Sequence, residues 1–293
     1  MISKNKSVSA YRTRFAPSPT GPLHFGSLVT ALGSYLRAHS KGGLWLIRIE
    51  DIDPPRQVKG AIEHQLQTLA GFGLKSQLPV IYQSDRIRAH RQAIAALVDQ
   101  RLAYPCGCSS KELPKDAPYP GTCRHGLPTG RAERSIRLKT HNEVVFFNDA
   151  LQGPQQQNPS QQTGDFIIRR GDGLMAYQLV VVVDDHAQKI TEVVRGADLM
   201  DSVGRQCLLY DALKRPRPEY LHLPVVVDEN GRKLSKSDGA DPIEALNQNQ
   251  VFRLALRALG HEPPNHAMSL EAQWQWAIKN WTLERVPQGP VSI

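Results

Sequence analysis

The stretch that most restricts how this chain can fold runs from Arg12 to Arg56. Its first residues, Arg12 to Ala16, read as a strand, and a loop punctuated by Pro17, Pro19 and Pro22 follows. A helix is expected to open at Leu23-His24-Phe25-Gly26-Ser27, with Pro22 at its first position, where a missing N–H costs nothing. Leu28, Leu32 and Leu36 recur at helical spacing and predict a buried stripe. Gly26, Thr30 and Gly33 form a second face of small residues, which lets a flat ligand or a neighbouring backbone approach closely. A strand delivered to a helix N-terminus is a natural anion site, because free N–H groups and the helix dipole converge there. His24, in the expected first turn, adds a donor.

Any strand–turn–helix has some of these features, so a second segment matters. Lys233-Leu234-Ser235-Lys236-Ser237, flanked by Gly231 and Gly239, sets two lysines among hydroxyls and reads as a cationic loop. Such a loop can close over a polyphosphate and neutralise charge that develops in a transition state. The 36 Lys and Arg against 28 Asp and Glu leave a formal charge of +8, which fits an RNA partner without proving one. A chain of 293 residues suits one large or two modest domains. No apolar run is long enough to span a bilayer, and Met1 to Ala10 lacks the apolar core of a signal peptide. A cytoplasmic protein with no membrane partner, and a monomer, is expected.

Leu44 to Ile49 is a dense apolar run of strand length that ends in Glu50-Asp51-Ile52-Asp53. Acids at the C-terminal end of a parallel strand stand where open α/β sheets bind ligands. A helix from Arg56 to Gly71, a strand at Val80-Ile81-Tyr82 and a helix from Asp85 to Arg101 continue a β-α-β-α order, which implies a parallel sheet covered by helices. Cys106, Cys108 and Cys123 cluster, and clustered thiols in a cytoplasmic chain point to a metal. Spacing alone selects His125 as a fourth ligand. Cys207, beside Leu208 and Leu209, reads as a buried apolar residue. Short strands are expected at Ile136–Leu138 and Val144–Phe147, and Gln155 to Gln162 reads as a polar loop with nothing to bury. The valines of 180–183 favour a strand on propensity. Asp184-Asp185-His186 reads as a structural turn. Pro242 to Gly260 reads as a helix with Val251, Leu254, Ala255 and Leu259 on one face, and Leu270, Trp274, Ile278 and Trp281 predict another apolar face. The last residues, with Pro287, Gly289 and Pro290, look irregular.

His24-Phe25-Gly26-Ser27 and Lys233 to Ser237 together resemble the signature pair of class I aminoacyl-tRNA synthetases. Arg14-Phe15-Ala16-Pro17-Ser18-Pro19-Thr20-Gly21 and Arg48-Ile49-Glu50-Asp51-Ile52-Asp53 resemble the glutamate-specific branch. The resemblance implies an α/β fold: a Rossmann-like catalytic core with an inserted zinc-containing α+β subdomain, a short helical C-terminal part and no anticodon-binding domain. The expected division is 1–102 and 191–240 for the two halves of the core, 103–190 for the insertion and 241–293 for the helical segment. The family uses a tyrosine four residues before its last cysteine, so the implied zinc ligands are Cys106, Cys108, Tyr119 and Cys123. The family also makes 175–186 a helix, with Tyr177 facing the amino-acid pocket and Val181 one turn on, where a full-length relative commonly carries asparagine.

By the same resemblance the glutamate pocket comprises Arg14, Phe15, Ala16, Pro17, Ser18, Glu50, Tyr177 and Arg195. Glu50 faces the amino group, and the planar fork of Arg195 suits the side-chain carboxylate. ATP, entering with Mg²⁺, meets His24, Gly26, Lys233 and Lys236, with His24 and Lys236 as the catalytic pair. The short chain resembles a member of the branch that passes glutamate to queuosine in the anticodon of tRNA(Asp). A short enzyme charging the tRNA 3′ end and a catalytically silent RNA-binding module are the alternatives.

Overall fold

The computed structural model describes residues 10–113, 117–228, 231–232 and 247–292. In chain order the first elements are β1 (Arg12–Phe15), α1 (Phe25–Ser40), β2 (Leu44–Ile49), α2 (Ala61–Gly71), β3 (Ile81–Tyr82) and α3 (Ile87–Asp99). The middle holds β4 (Ala103–Cys106), β5 (Ser135–Leu138), β6 (Val145–Asp149), β7 (Gly153–Gln157), α4 (Pro159–Gln162), β8 (Phe166–Arg169) and α5 (Tyr177–Ala187). Then come β9 (Glu192–Gly196), α6 (Val203–Ala212), β10 (Glu219–Leu223), β11 (Val226–Val227), α7 (Gln248–Ala258), α8 (Leu270–Asn280) and β12 (Val291–Ser292).

β1, β2 and β3 pair in parallel, as do β9 and β10. The two groups meet along β1, where Thr191 N–H donates to the Arg12 carbonyl at 2.9 Å and Arg12 N–H to Thr191 Oγ1 at 2.9 Å. Arg37 near the end of α1 grips Glu192 at the start of β9 through two hydrogen bonds of 2.8 and 2.9 Å. The result is a parallel α/β sheet whose β1 and β9 ends open side by side, the place such folds keep for ligands. The strand β6, within the stretch expected to be inserted, runs parallel to β10 and carries β7 antiparallel on its far side. A separate antiparallel sheet, in the order β4-β5-β8, packs with α3 and α5 around a second apolar core.

Several local expectations need correction. The first helix starts at Phe25, so Pro22 stands before it. His24, extended at φ −102° and ψ 169°, is the N-cap, and its Nδ1 accepts from Ser27 N–H at 3.2 Å. Leu28, Leu32 and Leu36 are buried as expected, but the small-residue face divides. Gly26 and Thr30 line a cleft, whereas a Cβ at Gly33 would come within 2.7 Å of Leu223. The helix expected from Arg56 begins at Ala61, because Pro54–Arg56 makes a 3₁₀ turn and Gly60 sits at φ 77°.

Gln155 to Gln162 is no free loop. Gln157 is buried, donating to the Met200 carbonyl at 2.9 Å and accepting from Gly204 N–H at 2.7 Å, and Asn158 caps α4. Asp184 and Asp185 lie within α5 rather than in a turn after it. Leu254 and Ile278 point to solvent, while Phe252, Leu256 and Ala277 take the buried positions. Trp274 packs edge-on against Tyr35 and Phe252, fastening α8 to α1 and α7. Val291 and Ser292 pair with β11 instead of trailing irregularly.

The valines fold as helix because burial outweighs propensity. Each costs at most about 0.7 kcal/mol relative to Ala in a helix interior. Val180 to Val183 are all nearly inaccessible, and burying such a side chain contributes on the order of 1.5 kcal/mol or more.

Candidate active site

A cleft of about 700 Å³ opens at the ends of β1 and β9 and the start of α1. The segment from Arg14 to Ser18 forms one wall, His24, Gly26, Ser27 and Thr30 a second, and Glu50, Tyr177 and Arg195 the floor. All eight residues expected around glutamate therefore share one cavity with His24 and Gly26. Lys233 and Lys236 lie outside the described residues.

Beneath the floor runs a buried ionic chain that reaches it at Glu50. Arg14 donates to Asp185 through Nε at 2.8 Å and Nη2 at 3.3 Å. Arg48 also donates to Asp185, to Gln188 Oε1 at 2.9 Å, and through Nη2 to Glu50 Oε1 at 3.0 Å. Burial alone would lift the Asp185 carboxyl, yet Arg14 and Arg48 hold it below the usual range. Burial opposes the charge on Arg48 as well, and Asp185 and Glu50 more than offset it. At Glu50 burial wins, raising the carboxyl above its ordinary value against the pull of Arg48 and Arg14. Sequence reasoning missed Arg48 and Asp185 as parts of the site. The sequence word containing Arg48 was visible, but nothing local joins it to a residue on a helix far along the chain.

Arg195 is 5% exposed, and its Nε donates to His222 Nε2 at 3.0 Å. Its two terminal nitrogens are buried without a hydrogen-bond partner among the described residues. A guanidinium fork left open in a cavity is a carboxylate receptor, and bidentate pairing is the strongest use of it. Tyr177, first residue of α5, lines the same floor; burial raises its phenol, with Arg195 opposing and Glu50 assisting. Val181, one turn on, is buried in the apolar core around α5 and does not line the cleft.

Away from the cleft, the Sγ atoms of Cys106, Cys108 and Cys123 lie within 4.8 Å of one another. The Tyr119 hydroxyl sits among them, 3.4 Å from Cys106 Sγ and 3.7 Å from Cys108 Sγ. His125 is exposed and stands outside this group. Burial would raise the Cys106 thiol, but hydrogen bonds from Tyr119, the Cys108 backbone and Arg137 bring it down to about 7. Gly164, at φ 64°, lets the Tyr119 backbone pass: a Cβ there would lie 2.5 Å from the Tyr119 carbonyl oxygen. Cys207 is buried beside Tyr220 and belongs to an apolar cluster, as expected.

A parallel α/β sheet with a capped helix facing an acidic and cationic pocket is the arrangement of a nucleotide-binding core, and the comparisons make the class specific. The family profile described as tRNA synthetases class I (E and Q), catalytic domain, matches residues 10–118 and 125–260, and the chain belongs to this family. It is 48% identical over 294 residues to the glutamyl-Q tRNA(Asp) synthetase of Chromobacterium violaceum, covering 98% of this chain and 99% of that protein. The protein of the same name from Xanthomonas campestris pv. campestris is 49% identical over 282 residues, 95% of this chain and 94% of the relative. Among solved structures, the glutamate-tRNA synthetase of Elizabethkingia anophelis superposes with a TM-score of 0.81 at 26% identity, covering 97% of this chain and 68% of that one. No helix among the described residues is long and apolar enough to cross a membrane.

Proposed function

We propose that this chain activates glutamate with ATP, without tRNA, and passes the glutamyl group to queuosine in the anticodon of tRNA(Asp). The observation that carries the reading is the open, buried fork of Arg195 facing the same cavity as Glu50. One end of that cavity suits a carboxylate and the other an ammonium, the two ends of glutamate. The 48% identity, over 98% of this chain, to a relative named glutamyl-Q tRNA(Asp) synthetase supports that acceptor.

In the first step a glutamate α-carboxylate oxygen attacks the α-phosphorus of ATP. The bond to the bridging oxygen breaks, and pyrophosphate leaves with the electron pair. Such transfers depend on positioning and charge neutralisation. With Nδ1 of His24 accepting from Ser27, the neutral ring carries its proton on Nε2 and presents a donor to phosphate. Lys236 supplies neutralising charge, Lys233 assists, and ATP brings Mg²⁺. In the second step a queuosine hydroxyl attacks the glutamyl carbonyl carbon, AMP leaves, and the hydroxyl proton passes to solvent.

Cys106, Cys108, Cys123 and Tyr119 fit a structural Zn²⁺. Tetrahedral Zn–S bonds of ~2.3 Å set sulfurs roughly 3.8 Å apart, and Cys108 Sγ lies 3.7 Å from Cys123 Sγ. The ion would brace the hairpin between β4 and β5.

Charging with labelled glutamate separates the readings. Queuosine-containing tRNA(Asp) should accept glutamate, while guanine-containing tRNA(Asp) and tRNA(Glu) should not; acceptance by tRNA(Glu) alone would assign 3′-end charging instead. Glutamate-dependent ATP–pyrophosphate exchange should proceed without RNA, and Lys236→Ala should slow it by roughly a hundredfold or more.

A further inference from the structure

Asp149, His222 and Arg195 come from three neighbouring strands, β6, β10 and β9, and form a hydrogen-bonded line toward the cleft. Tyr220 of β10 stands opposite Asp149, and His222 opposite Arg195, so the parallel pairing aligns them. His222 Nδ1 lies 2.6 Å from Asp149 Oδ2, and Arg195 Nε lies 3.0 Å from His222 Nε2. Asp149 Oδ1 accepts from the backbone N–H groups of Leu151 and Gln152 at 3.0 and 2.9 Å. His222 is inaccessible and Asp149 nearly so.

An arginine Nε–H can only donate, so Nε2 of His222 must offer its lone pair. Its ring proton therefore sits on Nδ1 and is donated to Asp149. We infer that His222 is a positioning residue for the carboxylate-binding arginine: fixed as the neutral Nδ1–H tautomer by Asp149, it orients the guanidinium of Arg195 toward the substrate. The inference rests on the reading of Arg195 as the side-chain carboxylate receptor.

Protonation of His222 would put an N–H against the Arg195 N–H and a second positive charge beside it. The charged groups facing the ring are Arg195 from β9, Asp149 from β6 and, farther off, Arg14 from β1, with the Tyr220 ring stacked at 6.3 Å. Burial holds the imidazole below its ordinary value, with Arg195 and Arg14 assisting and Asp149 opposing. The neutral form thus prevails near neutrality, and glutamate affinity should fall as pH drops through the ring's lowered titration.

The test compares glutamate KM, ATP KM and kcat in pyrophosphate exchange across acid pH. His222→Leu should raise glutamate KM roughly tenfold or more, the scale of a lost hydrogen bond to a charged group, with ATP KM little changed. His222→Gln places an amide oxygen where Nε2 stood, so it should recover most of the affinity and lose the acid limb of glutamate KM. Wild-type glutamate KM in a folded His222→Leu variant would overturn the inference.

Should that variant fail to fold, ¹⁵N NMR of histidine-labelled wild-type protein decides. A lone Nδ1 proton on His222 is expected, and a proton on Nε2 would refute the arrangement. Arg195→Ala separates the two levels. If Arg195→Ala loses glutamate affinity and His222→Leu does not, the positioning role alone fails. If neither variant changes glutamate KM, the receptor assignment fails with it.

Discussion

Asp185 carries more of this site than its sequence position suggests. It is 3% exposed and bridges two buried guanidiniums, Arg14 and Arg48. Removing one member of a buried ionic set leaves the others uncompensated, which typically costs about 3–5 kcal/mol. Asp185→Asn should therefore lower the unfolding free energy measured in urea by an amount of that order, while an exposed change such as Glu271→Gln should shift it little. At the same scale, Arg195→Lys keeps the charge but loses the planar fork. It should raise glutamate KM by roughly tenfold or more, measured by pyrophosphate exchange, without a matching rise for ATP. Arg14 and Glu50 could be read because each stands in a recognisable sequence word, whereas Tyr177 and Arg195 came from the family resemblance. Asp149, Asp185 and His222 were not legible, since their partners are brought together only by strand pairing and helix packing.

Elements were legible where periodicity was strong and no tertiary force opposed it. The stripe on α1 and the apolar run of β2 are of this kind. α5 is the opposite case: its valines read as strand until their burial on all sides is known, and the resemblance rather than propensity gave the right answer. Gln155 to Gln162 misled for a related reason, because a glutamine at a strand end can be satisfied by backbone groups of a distant helix. Since Val181 faces apolar core, Val181→Asn should not tighten glutamate binding. It should instead destabilise the fold by about 1–3 kcal/mol through an unpaired buried amide, read by thermal or urea unfolding. Beside the cysteine hairpin, Gly164→Ala forces a Cβ into the Tyr119 backbone. Zinc content measured by elemental analysis should fall in that variant and not in Gly289→Ala, where a Cβ meets nothing among the described residues within 4 Å.

Across the molecule, stability should depend on pH in two ranges. His222 and His261 are held below 6.5, chiefly by burial, so the folded state binds fewer protons there than the unfolded chain. Their contribution is complete above 6.5 and is lost as pH falls toward the folded values. Asp149, Asp165 and Asp185 are held below 3.8 against the opposing effect of burial, and their contribution disappears as pH falls below that value. Urea midpoints at about pH 7.5, 5 and 3 should fall in that order; no change between the first two would contradict neutral, buried histidines.

The consecutive acids Asp184 and Asp185 take separate sets of partners. Asp184 takes Arg86, His90 and Gln83, and Asp185 takes Arg14 and Arg48 from the parallel sheet. α5 is consequently pinned against rotation by both sets, like a shaft keyed twice. Tyr177 at its other end keeps a fixed bearing over the pocket, and the helix can turn only by breaking one of the two sets of ion pairs.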